Sequence, residues 1–281
     1  NDIKPIIGVE AYLASNSRLD KQTKMGSDQS HLLLLAEDGE GYRNLMKLTS
    51  IANLEGFSYK PSIDREVLAQ HAKSVIATSG CMSSEINRHL LNDNEKAAYE
   101  LADWYKQTFP GRYYIELQMH DGIDALPELI KKQLKLAREL DLPIVATNDV
   151  HYVNQGDAVA QDALLCVQTR KLISDEKRMS MMDSQTYYLK SAHEMTELFR
   201  DYPSAIENTL AIAERVNIEI ERGKLHFPSF PLPKGETEES YFEKLARQGM
   251  HRRFDTITPE IEDRLAYELG VIKQKGYAAY F

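Results

Sequence analysis

Two rhythms of apolar residues alternate along the first four-fifths of the chain. Short, nearly continuous apolar runs occur at KPIIGVEAYL (4–13), HLLLLA (31–36), SVIATSG (74–80), YYIELQ (113–118) and LPIVATN (142–148). Runs of this length, bounded by turn-forming residues, predict strands buried on both faces. Between them, apolar positions recur every three or four residues, the spacing of one helix face. GYRNLMKLTSIANLEG sets Leu45, Leu48 and Ala52 on one stripe. NDNEKAAYELADWYKQTF turns Leu101, Trp104 and Tyr105 inward behind Asn and Asp caps, and IDALPELIKKQLKLARELD carries Leu126, Ile130, Leu134 and Ala137. Strands alternating with amphipathic helices predict βαβ units, an α/β fold and a parallel sheet with right-handed crossovers.

After residue 155 the pattern becomes mainly helical. SAHEMTELF (191–199) opens with a capping box, Ser191 three residues before Glu194, and SAIENTLAIAERV (204–216) is a second amphipathic helix. ERGKLHFPSFPLPKGET (221–237) then brings prolines at 228, 231 and 233 and few helix formers, which predicts a linker. Two helices follow, ESYFEKLARQGMHRRF and TPEIEDRLAYELGVIKQKG, the second capped by Thr258 with Pro259 in its first turn. The expected organisation is a domain over 1–220, a proline-rich linker over 221–235 and the start of a second region over 236–281.

Composition narrows the field without naming a chemistry. With 281 residues, 42% hydrophobic and 27% charged, the chain is an ordinary globular one. No apolar run approaches the roughly 20 residues of a membrane span, so no membrane partner is expected. Two cysteines, Cys81 and Cys166, are too few for a disulfide framework and fit a reducing, cytoplasmic location. A formal net charge of −9 argues against a surface that coats nucleic acid, but not against a metal site that concentrates carboxylates. The chain reads as an internal piece of a longer protein.

Candidate chemistry collects at the strand ends. Glu10 sits among apolar neighbours in IIGVEAY, where a lone buried carboxylate is costly unless paired or metal-bound. Cys81 follows a tight turn leading into SSEINRHLL, and a thiol near a helix N-terminus ionises more easily. Thr147, Asp149 and His151 alternate in PIVATNDVHY and would share a face of one strand. Functional groups in α/β folds gather at the carboxyl ends of strands, which suits Glu10, Cys81, Asp149 and His151. His31 opens its run instead, so that rule does not place it. His120, in ELQMHDG, follows a strand on the same presumed rim and is an accessory candidate; the face of Glu116, inside that strand, is undetermined. Asp, Glu, His and Cys form a zinc-type donor set. Each also has a plainer reading: a core histidine, a small buried thiol (the expected role of Cys166), a Glu paired to a basic neighbour, an Asx turn.

At this point the motifs KPIIGVEAYL, HLLLLAEDGEGYRNLMKLTS, VIATSGCMSSEI, YYIELQ, IVATNDVHYV, ALLCVQTRKLI, YYLKSAHEMTELF, AIENTLAIAERV and LHFPSFPLPKGET, in this order, resemble the alpha subunits of bacterial DNA polymerase III along essentially the whole chain. The resemblance implies an N-terminal PHP domain with a distorted TIM-like (β/α)7 barrel, here lacking its first strands, followed by a helical segment leading into the polymerase palm. It implies zinc or manganese at one end of the barrel, with Glu10 bridging ions, His31 and Cys81 completing one, and Asp149 and His151 completing others. It further implies that an H-x-H motif precedes Asn1 and that the magnesium-binding aspartates of nucleotide addition lie beyond Phe281. The implied activity is template-directed DNA synthesis with a PHP 3′→5′ exonuclease for proofreading, and the piece alone is expected to be inactive. Implied partners are DNA primer–template, deoxynucleotides, the sliding clamp, the clamp loader and a proofreading subunit. Two rivals remain: an eroded PHP scaffold that docks a separate proofreader, and a stand-alone PHP phosphoesterase.

Overall fold

A computed structural model describes residues 3–20, 29–221, 223–224 and 229–281. Within the proline-rich stretch 221–235, residues 222 and 225–228 lie outside the described residues, Pro228 among them. The chain divides into two compact units, Asn1–Ile220 and Glu221–Phe281.

The first unit is a mixed α/β body. Its strands are β1 (Gly8–Ala14), β2 (Gln29–Ala36), β3 (Ser62–Ile63), β4 (Val75–Thr78), β5 (Tyr113–Gln118) and β6 (Ile144–Thr147). Its helices are α1 (Gly39–Leu54), α2 (Arg65–Gln70), α3 (Glu85–Leu91), α4 (Glu95–Thr108), α5 (Leu126–Glu139), α6 (Ala158–Thr169), α7 (Ala192–Leu198) and α8 (Pro203–Arg215). The strands form one sheet in the order β3-β1-β2-β4-β5-β6.

An all-parallel sheet is not what forms. β1–β3, β4–β5 and β5–β6 pair in parallel, but β2 runs antiparallel to both β1 and β4. No helix pattern separates the first two apolar runs, and strands without a crossover helix between them pair antiparallel. The two-residue β3 was not legible as a strand at all.

Side-chain alternation gives the sheet two different faces. On one, Leu32, Leu34 and Ala36 of β2, Val75 and Ala77 of β4, and Tyr113, Ile115 and Leu117 of β5 join the main core. The stripes of α1, α4 and α5 cover this face: Leu45, Leu48 and Ala52, then Leu101 and Tyr105, then Leu126, Ile130 and Ala137 are buried there, with Trp104 and Leu134 partly so. Each fully buried aliphatic side chain contributes about 1.5–3 kcal/mol of transfer free energy. Helix ends follow their local signals. Asp38, Asp64, Ser84 and Asn94 cap α1 to α4 through their side chains, and Ser191 with Glu194 forms the capping box of α7.

On the opposite face only part of the surface is covered. Ile212 and Val216, on and just after α8, pack against Ile76, Tyr114 and Val145. Asn208 Nδ2 donates to the Ile144 carbonyl at 2.7 Å, and Arg215 reaches Glu37 at 2.9 Å and the Gly111 carbonyl at 2.8 Å. One pleat further along the strands, this apolar layer gives way to Thr78, Glu116 and Thr147, and there the sheet opens into a cleft.

In the second unit, α9 (Glu238–Arg253) starts from a Thr237/Ser240 capping box, and α10 (Pro259–Gln274) starts after Thr258 with Pro259 in its first turn. Lys273 Nζ pairs with Glu243 at 2.7 Å, and Met250 and Leu269 are buried. Among the described residues no helix is long and apolar enough to cross a membrane.

Candidate metal centre

The reversed strand β2 explains the one residue that strand polarity could not place. Pairing sets Tyr12 opposite His31 and Glu10 opposite Leu33, and Leu33 in turn opposite Thr78. His31, near the start of β2, is thereby brought to the rim where β4 ends. Gly80 follows β4 with φ +75°, and a side chain there would sit 3.0 Å from the His31 carbonyl oxygen. That close approach lets the next residue, Cys81, turn beside the imidazole.

Three side chains meet as a result. His31 Nδ1 is 2.9 Å from Glu10 Oε1 and 3.7 Å from Cys81 Sγ. One donor atom from each of the three lies within 4.8 Å of the others. Hydrogen bonding to Cys81, then to Glu10, pushes the imidazole up to about 10 against the cost of its partial burial. The same contact with His31 holds Glu10 below the usual carboxylate range. Glu10 is not the buried carboxylate expected from its apolar neighbours: its side chain is 54% exposed. Val9 and Ala11, on either side of it, pack against the core, whereas Glu10 lies on the opposite face and lines the cleft.

The expectation that Asp149 and His151 share a strand face also fails. β6 ends at Thr147, and Asp149 has φ 49°, a left-handed turn conformation that breaks the alternation. Asp149 still lines the cleft of about 210 Å³ with Glu10, His31, Gly80 and Cys81. Burial raises its pKa. The His151 ring donates from Nδ1 to the Asp149 carbonyl at 2.7 Å and lies 3.8 Å from its carboxylate. It sits edge-on to Tyr187, outside the three-residue group. The loop is held by main chain, since His151 N donates to the Tyr187 carbonyl at 2.9 Å. His120 is buried, stacked on Tyr187 at 4.1 Å, with Nδ1 against Thr186 Oγ1 at 2.9 Å. Burial lowers it to about 4, so the ring is neutral. Cys166 is a core residue of α6.

One residue of the cleft was left unplaced by sequence reasoning. Glu116 lines its floor beside Gln118 and Thr147, wholly buried, and burial raises its pKa despite hydrogen bonds from Thr147, Thr78 and Gln118. Period two could not assign it, because every residue of YYIELQ is buried. The usable signal was its alternation with Tyr114 once α8 is known to cover that face.

A tetrahedral zinc site takes nitrogen at about 2.0–2.1 Å, sulfur at about 2.3 Å and carboxylate oxygen at about 2.0–2.2 Å. Its ligand atoms are then about 3.3–3.8 Å apart, so the 3.7 Å between His31 and Cys81 fits directly. Glu10, at hydrogen-bond distance, needs only to open slightly. A mixed O, N, S set suits zinc, and three protein ligands leave a position for substrate or water.

Residues 1–120 match the PHP domain family. Over 99% of its length the chain is similar to DNA polymerase III subunit alpha of Borreliella burgdorferi (42% identical), of Treponema pallidum (40%) and of Mycobacterium tuberculosis (39%). It spans about a quarter of the length of these relatives, 24% of the first two and 25% of the third.

Proposed function

We propose, for a chain that belongs with the alpha subunits of bacterial DNA polymerase III and carries a PHP domain, that it is part of a replicative polymerase. In this reading the PHP cleft is a metal-dependent 3′→5′ exonuclease site that removes misincorporated nucleotides. The observation that carries the reading is the convergence of Glu10, His31 and Cys81 from three separate segments onto one point of a cleft that Asp149 also lines. The arrangement is consistent with one end of a distorted barrel, and residues 236–281 with the approach to the palm. DNA primer–template and deoxynucleotides would be the substrates of the parent chain, with clamp, clamp loader and proofreader as its partners.

Glu10, His31 and Cys81 would hold a zinc or manganese ion, and Asp149 with His151 would hold a second. Such an ion, when bound, supplies Lewis acidity toward the phosphodiester and an acidified water at neutral pH. The chain's own residues do the rest. Antiparallel pairing of β1 and β2 orients Glu10 and His31 toward one another, and the Nδ1–H of His151 bonded to the Asp149 carbonyl leaves Nε2 as that ring's ligating nitrogen.

The test is an exonuclease assay on the complete parent chain with zinc or manganese, comparing wild type with His151→Ala on a mismatched primer. Trimming by wild type and not by the variant, with polymerisation retained by both, is the expected result. Normal polymerisation with no trimming by either would sink the exonuclease reading. It would favour the scaffold role, to which the position of His151 outside the three-residue group lends weight. A stand-alone phosphoesterase is disfavoured by similarity to polymerase subunits that continues past residue 220.

A further inference from the structure

Below the Glu10–His31–Cys81 group lies a carboxyl that none of the roles above uses. Glu116 stands mid-strand on β5, 4% exposed, with no cation paired to it among the described residues. A buried carboxyl survives only when its oxygens are hydrogen-bonded. Here the donors come from both neighbouring strands. Thr78, the last residue of β4, donates its hydroxyl to Oε2. Thr147, the last residue of β6, donates to Oε1 at 2.5 Å, and Gln118 adds its amide at 2.8 Å.

Those two strand ends are the ones that carry ligand candidates. Cys81 follows Thr78 by three residues and Asp149 follows Thr147 by two. The main chain of Glu116 continues the same bracing. Its N–H donates to Ser79 Oγ at 2.8 Å, and its carbonyl accepts from Gln133 Nε2 at 3.0 Å. Gln133 Nε2 also reaches Asn87 Oδ1 at 3.0 Å, and Asn87 Nδ2 donates to the carbonyls of Gly80 at 3.1 Å and Cys81 at 2.9 Å. Both carboxylate oxygens are engaged by protein donors, as a brace between the strands requires.

We propose that Glu116 is a positioning residue of the centre: its carboxyl straps the ends of β4 and β6 together and so fixes where Cys81 and Asp149 stand relative to each other. The consequence for metal rests on the reading proposed above, but the strap itself belongs to the metal-free fold. Glutamine can replace the acid in this role, because the Thr78 hydroxyl can turn to accept from an amide while Thr147 and Gln118 donate to its oxygen. Alanine cannot.

The experiment compares hydrogen exchange in the chelator-treated, complete parent chain for wild type, Glu116→Ala, Glu116→Gln and Thr147→Val. Glu116→Ala is expected to speed exchange at least tenfold in peptides covering 79–84 and 148–153, with peptides from α4 and α9 unchanged. Glu116→Gln restores wild-type exchange in both segments. Thr147→Val, which cuts one arm only, speeds 148–153 and leaves 79–84 as in wild type. Uniform acceleration across the domain, no acceleration, or a Gln variant as fast as the Ala variant overturns the proposal.

A Co²⁺ titration of the same proteins reads the consequence. Wild type is expected to show a thiolate-to-cobalt absorption band, and Glu116→Ala to need at least tenfold more Co²⁺ for the same band. Wild type without that band would count against the metal centre, while the exchange comparison alone still decides the strap.

Discussion

The Nδ1 of His31 and the Oε1 of Glu10 meet at 2.9 Å across the antiparallel pair β1–β2, as diagonal neighbours in the ladder. Neither residue is near the other in sequence, and Cys81 arrives from a third segment, yet the three donor atoms form one group. Removing a single donor from such a set costs on the order of 100-fold or more in metal affinity, given that changes one shell further out already cost about 10–100-fold. Cys81→Ser and His31→Ala are therefore expected to weaken zinc binding by at least that factor, measured by competition with a chromophoric chelator. Cys166→Ser, in the core of α6, should leave zinc affinity unchanged. Equal affinities for all three variants would show that the ion, if any, binds elsewhere.

A second expectation concerns acid stability. Asp64 is buried and accepts from the backbone N–H of Arg18 at 3.0 Å, from the Val67 N–H at 3.2 Å as the cap of α2, and from the Arg18 guanidinium at 3.0 Å. Burial pushes its pKa up, and these hydrogen bonds outweigh it, leaving the carboxyl below the usual range. A folded pKa below the unfolded value of about 3.9 means the stabilisation is complete above that pH and is lost as pH falls through the folded pKa. Asp64→Ala is expected to cost about 2–4 kcal/mol at pH 7, from the lost cap and charged hydrogen bonds. Arg18 keeps Glu55 at 2.8 Å and Glu66 at 3.3 Å, so no orphaned cation adds to that figure. Urea melts from pH 7 down to pH 2 should show the difference between wild type and variant shrinking toward the acid end; a constant difference would remove the ionic part of the account.

The partial cover over the cleft face gives a third. Ile212 is 4% exposed against Ile76, Tyr114 and Val145, whereas Leu210 on the same helix is 64% exposed. Ile212→Ala should cost about 2–5 kcal/mol through lost burial and the cavity left behind. Leu210→Ala should stay within about 0.5 kcal/mol of wild type. Denaturant midpoints at unchanged slope would check both. If the two variants melt together, α8 does not pack on the sheet through Ile212.

What was legible in the chain was mostly local. The stripes Leu45–Leu48–Ala52 and Leu126–Ile130–Ala137 face the core, and Ser191 caps α7 with Glu194, because helix periodicity and caps are written within a few residues. Pairing direction is not, so the reversal of β2 was missed. Strand register also ends where backbone dihedrals decide it. Asp149 enters the left-handed region two residues after β6 stops, and an alternation drawn through it points to the wrong face. Glu10 was read as buried from its apolar neighbours, which tells nothing about whether a helix covers the other face. The face of Glu116 stayed undetermined for the converse reason, since a strand buried on both faces carries no alternation to read.

Gly80 allows the turn that delivers Cys81 to be tested directly. Its φ of +75° is disfavoured for any residue with a Cβ, and an added methyl would lie 3.0 Å from the His31 carbonyl oxygen and 3.3 Å from Ser84 Cβ. Gly111 has a similar φ of +68° but nothing within 4 Å of where its Cβ would be. Both Gly→Ala changes carry the left-handed penalty of about 1–2 kcal/mol, and that much alone should lower each melting temperature by a few degrees. Only Gly80→Ala also pushes on β2 and α3, so it should destabilise further and displace the thiol from His31. The expected pattern is a weaker thiolate-to-cobalt band in Gly80→Ala and a wild-type band in Gly111→Ala at matched stability. Identical bands in the two variants would mean that the close approach of Gly80 to His31 does not set the position of Cys81.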